Sequence, residues 1–167
     1  MKDAAGVKNL SSIVHQQHGQ LIVVVSAMGK TTNLLETLCN AYFHQDPKTT
    51  AIMKELKNFH LDIVNTLFPL NETIHKHLEE LFTSLENILA SESSLCYDYE
   101  YDRIICFGEL ISTTIISDYL KMKGIENQFI DIRKFLKTDQ NYRNANIDLE
   151  LSEQLCKDAF DFNTSSV

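Results

Sequence analysis

Apolar positions recur at steps of three and four over most of the chain, and that rhythm predicts helices. Val7, Leu10, Ile13 and Val14 form the first stripe, with Asp3 placed to cap it and Gly19 to end it. Leu34, Leu35, Leu38, Cys39 and Tyr42 form a second, opened by an Asn33–Glu36 capping pair. Ile52, Leu56, Phe59, Ile63 and Leu67 predict a long helix that Pro69 stops. Ile74, Leu78, Leu81, Phe82, Leu85, Ile88 and Leu89 predict another, followed by a loop at Ser91–Ser94. Leu110, Ile111, Thr114, Ile115 and Leu120 suit a helix ended by Gly124.

The rhythm changes in short stretches. Leu21–Val25 is a continuous β-branched run, which predicts a strand buried on both faces. Arg103–Phe107 and Gln128–Ile132 read as two further strands flanking a helix, a βαβ unit with a parallel pair. A short strand at Asn146–Leu149 and a helix through Phe160 complete the expectation. The fold class expected is α/β: a three-layer sandwich with a largely parallel sheet, helices on its faces and a long helical excursion between strands over residues 48–90.

In such sheets ligands bind beyond the carboxyl ends of strands, at helix N-termini. That rule selects Ser26–Asn33 and Phe107–Glu109. Ser26, Gly29, Lys30, Thr31 and Thr32 share one turn before a helix, where free N–H groups and the helix dipole favour an anion. A capped helix start explains the same residues. Glu109, straight after a strand, is either a dipole-stabilised first-turn carboxylate or a group aimed at an ammonium. Together the junctions could hold a zwitterion, with both opening into one crevice.

Composition narrows this further. The chain has 167 residues, enough for one domain with its own core, and a net charge of -8. That balance argues against a nucleic-acid or anionic-membrane surface. No apolar run reaches bilayer length and no signal peptide is visible, so a cytoplasmic location is expected. Cys39, Cys96, Cys106 and Cys156 are scattered, which fits idle thiols better than a disulfide framework or metal site. His15, His18 and His75 fit solvated faces, as do Arg133, Lys134 and Lys137. The alternating Tyr97–Asp102 stretch reads as a solvated loop or edge strand. Gly29-Lys30-Thr31 matches the end of a P-loop, but the required first glycine is Val24.

Three motifs in order carry a family resemblance. Val23–Asn33 is similar to the second glycine-bearing motif of the aspartate kinases. Phe107-Gly-Glu-Leu-Ile-Ser112 resembles their (S/F)-x-GE-x-x-S motif, and Asp131-Ile-Arg133 with Thr138-Asp139 and Ala145 their D-x-R…T-D…A stretch. The resemblance implies the amino-acid kinase fold and transfer of the ATP γ-phosphoryl group to the β-carboxylate of L-aspartate. The product is 4-phospho-L-aspartate, at the opening of lysine, threonine and methionine synthesis. It implies that Thr32 and Glu109 contact aspartate, Glu109 on its ammonium, with Ser26 and Gly29 lining the same pocket. ATP and Mg²⁺ serve the intact enzyme, and a homodimer is the assembly it admits.

The departures are as specific. The family's opening Lys-Phe-Gly-Gly-Thr-Ser strand is not matched, since Met1-Lys2-Asp3 stands where it should just have ended. Lys2 is therefore not the family's catalytic lysine. The chain stops at Ser165–Val167, where the family's next strand begins. Residues 1–167 are thus expected to be a partial catalytic domain: the amino-acid-binding lobe without its first strand or the nucleotide lobe. Such a fragment should be inactive alone and hold no nucleotide or metal tightly. The rival expectations are a P-loop nucleotide hydrolase, which tight Mg-ATP binding would reveal, and a noncatalytic interaction module of the same fold.

Overall fold

The computed structural model describes residues 1–69 and 72–160. The expectation at Ser165–Val167 lies outside them. Seven α-helices are present among the described residues: α1 Ala4–His15, α2 Thr31–Phe43, α3 Thr49–Leu67, α4 Glu72–Ala90, α5 Tyr97–Ile105, α6 Phe107–Met122 and α7 Leu149–Ala159. Asp3 caps α1, its Oδ1 accepting the Gly6 N–H at 3.0 Å. Gly124 ends α6 with φ +75°, and the Ile125 N–H folds back to the Leu120 carbonyl at 2.9 Å.

Helix α2 packs between α3 and α5, while α6 packs on α4 and also touches α1, α2 and α3. Leu35, Leu38, Leu56, Val64, Leu78, Leu85, Ile111 and Ile115 fill the centre with no exposed surface. Helix α6 is buried along most of its length, its apolar residues sharing the core with the small Gly108, Ser112, Thr114 and Ser117.

The expected parallel-sheet sandwich is not what the chain forms. Among the described residues there is no strand or sheet, and the one isolated β-bridge is antiparallel, Thr138 to Ile147. Each of the four expected strands takes another course. Leu21–Val25 has the composition of a buried strand but meets no second extended segment. Without a ladder a lone strand has no hydrogen-bonded partner and no stability. Leu21, Ile22, Val23 and Val24 are exposed instead, Val24 at 93%, and Val25 alone of the run packs against the helical core.

Arg103–Phe107 spans the end of α5 and the start of α6. Its apolar residues serve a helical stripe, Ile104, Phe107, Ile111 and Ile115, that continues into α6. The alternating tyrosines upstream belong to α5 as well, rather than to a loop or edge strand. Glu100 fixes that helix: fully buried, it accepts the Ser94 N–H at 2.7 Å and an Arg103 guanidinium N–H at 3.0 Å. Gln128–Ile132 lacks strand structure and runs into a single 3-10 turn at Ile132–Lys134. Asn146–Leu149 supplies only the bridge at Ile147 before α7 begins. No βαβ unit results.

Candidate functional site

The start of α6 and the turn before α2 are in direct contact. Gly108 makes this approach feasible. A methyl group there would lie 2.8 Å from the Ala27 Cβ, 3.2 Å from Leu35 Cδ1 and 3.5 Å from Thr31 Cγ2. Only glycine lets two backbones come this close. The next residue, Glu109, is the third of α6, and its Oε1 accepts the Ala27 N–H at 3.2 Å. The carboxylate thus sits in the favourable first turn of its own helix and also secures the neighbouring turn.

That turn is tightly held. Gly29 has φ +55°, a left-handed conformation that favours glycine. Its N–H donates to the Met1 carbonyl at 2.9 Å. A Cβ on Gly29 would stand 3.1 Å from both the Lys2 carbonyl oxygen and Phe59 Cζ. Met28 is fully buried beneath it, and its carbonyl accepts the Thr31 N–H at 3.0 Å. Ser26, Gly29 and Lys30 are exposed, and Thr32 is half-buried in the first turn of α2.

Two expectations change here. The anion cradle has lost donors, since the Ala27 and Gly29 amides are engaged by Glu109 and Met1. The Asn33–Glu36 capping pair does not form: α2 starts three residues earlier, with Lys30 rather than Asn33 at the N-cap and no side-chain cap. Glu36 instead accepts the Tyr101 hydroxyl at 2.5 Å, a bond that pushes the phenol up to about 12.

A cationic group from the third motif lies beside the junction. Arg133 Nη1 donates to Cys106 Sγ at 3.2 Å, one helical turn from Glu109. Its Nε and Nη2 form a two-point pair with Asp131, at 2.9 and 2.7 Å. That pairing holds the Asp131 carboxyl below its ordinary range. Burial pushes the Cys106 thiol up, against the lowering effect of Arg133. The D-x-R spacing carries this ion pair, and Arg133 is exposed, as expected of the basic face. An open cavity of about 690 Å³ lies between α2, α5 and Arg143, and none of Ser26, Gly29, Thr32 and Glu109 lines it.

No protein-family model matches the chain. Curated relatives do. An aspartokinase of Chlamydia pneumoniae is 26% identical over 77% of this chain and 27% of its own length. The chloroplastic aspartokinase 2 of Arabidopsis thaliana is 31% identical over 75% of the chain and 24% of its length. The lysine-sensitive aspartokinase 3 of Escherichia coli is 24% identical over 92% and 33%. The chain therefore spans about a quarter to a third of these relatives. Among solved structures, E. coli aspartokinase III in complex with aspartate and ADP superposes with a TM-score of 0.81 at 22% identity, over 92% of this chain and 34% of that one. The same enzyme in complex with lysine and aspartate gives 0.80. Over this partial region, in sequence and in backbone course, the chain resembles the aspartokinases.

Proposed function

We propose that this chain is the amino-acid-binding part of an aspartate kinase. The observation that carries the reading is the Ala27–Glu109 contact, which joins two motifs 82 residues apart in one junction. One Glu109 oxygen holds the Ala27 amide, and the other is the group we assign to the ammonium of L-aspartate. Thr32, Ser26 and Gly29 complete the pocket. The relatives' name and the aspartate and ADP bound to aspartokinase III support the same substrate and a nucleotide phosphoryl donor.

In the longer enzyme the reaction is transfer of the γ-phosphoryl group of ATP, with Mg²⁺, to the β-carboxylate. That chemistry depends on positioning and on cations around the moving group. These 167 residues contain no Lys-Phe-Gly-Gly motif to supply such a cation. We therefore assign this chain substrate binding without turnover, in the cytoplasm. Among the described residues no helix is long and apolar enough to cross a membrane.

Calorimetric titration of the chain with L-aspartate and with succinate tests the assignment. Succinate lacks the ammonium, so it should bind at least about tenfold more weakly, the worth of one charged contact. Equal affinities would remove Glu109 from the role. A coupled assay with ATP and Mg²⁺ should show no turnover by this chain alone.

A further inference from the structure

The side chain that secures the start of α2 comes from neither motif. Helix α2 has no side-chain cap, yet its first residue, Thr31, is 2% exposed with its hydroxyl inside the protein. Thr31 Oγ1 lies 3.3 Å from His60 Nε2, and His60 itself has no exposed surface. His60 Nδ1 lies 2.9 Å from the Leu56 carbonyl oxygen, one turn back along α3. A carbonyl only accepts, so Nδ1 carries the proton. In the neutral ring Nε2 is then a bare acceptor, and the Thr31 hydroxyl donates to it. The rings of Phe59 and Phe82 flank the imidazole. Phe59 also packs against Gly29, so residues 59 and 60 grip both sides of the same turn.

We propose that His60 is a positioning residue. As the neutral Nδ1–H tautomer it holds the Thr31 hydroxyl and sets the first turn of α2, where Gly29 and Thr32 face the candidate substrate. Its purpose rests on the aspartate-site reading, but its geometry does not. Burial disfavours the imidazolium, and so does the positive end of the α2 dipole.

Three measurements on the ¹⁵N-labelled chain test it. Long-range ¹H–¹⁵N spectra at neutral pH should show a protonated Nδ1 and a bare Nε2 for His60; an Nε2–H tautomer or an imidazolium overturns the proposal. Amide hydrogen exchange should accelerate about tenfold at residues 29–33 in Thr31→Val and His60→Asn, with α4 unchanged, as expected for one lost buried hydrogen bond. His60→Gln, whose amide oxygen can replace Nε2 as acceptor, should recover most of the protection. Uniform acceleration across the helices, or Gln no better than Asn, overturns the positioning role. Aspartate affinity on the same samples separates the two readings. A wild-type chain that does not bind aspartate removes the substrate assignment and leaves exchange to judge His60. Binding that is unchanged in Thr31→Val sinks the positioning role instead.

Discussion

Glycine 108 is where the smallest side chain has the largest structural consequence. Its hydrogen faces the Ala27 Cβ, which cannot rotate away. Gly108→Ala must push α6 off the turn, and overpacking of this kind costs about 1–3 kcal/mol. Urea denaturation should show that loss, together with weaker protection of the Ala27 amide. A neutral effect would mean that the two backbones are farther apart than described. His60 adds a pH dependence. Burial lowers its pKa from the ordinary 6.5, so the unfolded chain binds a proton that the folded one refuses. Stability supplied by the neutral ring is therefore present above about pH 6.5 and lost as pH falls toward the folded value. Comparing wild type with His60→Gln between pH 7.5 and 5.5 should show a steeper acid decline in the wild type. Parallel curves would contradict it.

At the scale of elements, the sequence is legible where periodicity is long and fails where it is short. The stripes of α1, α3, α4 and α6 run for three or more turns and predict those helices closely. Ile104-Ile105-Cys106-Phe107 is too short for period to distinguish strand from helix. The deciding contact, Glu100 with Ser94 and Arg103, is a buried polar cluster that no apolar pattern records. Glu100→Ala would leave Arg103 unpaired and the Ser94 amide unsatisfied. We expect a cost of about 3 kcal/mol, with α5 loosening first, as measured by denaturation and exchange. A loss within about 0.5 kcal/mol would show that α5 needs no such anchor. The site divides in the same way. Ser26, Gly29, Thr32 and Glu109 stand in motifs and could be singled out from the sequence. His60 could not, because it meets Thr31 across 29 residues.

For the whole molecule, the helices enclose a core without any sheet among the described residues. Leu21–Val25 shows the consequence most clearly. Four residues of a run that composition marks as a core strand lie on the surface, with Val24 93% exposed, and only Val25 reaches the core. Val24→Asp should therefore leave the denaturation midpoint nearly unchanged, within about 0.5 kcal/mol. A loss of several kcal/mol would restore the buried strand. The same run is an apolar, β-prone surface, and such surfaces favour association.

The central claim is that Glu109 receives an ammonium at the junction it forms with Ala27. Titration of the ¹⁵N-labelled chain with L-aspartate, followed through the Ala27, Gly29 and Thr32 amides, tests it most directly when wild type and Glu109→Gln are compared. A charged contact of this kind is worth on the order of 1.5–3 kcal/mol, so the substitution should weaken binding about tenfold or more. The three amides should still move at saturation. Equal affinity in the two proteins, or shifts confined to residues remote from both helix starts, would contradict the assignment.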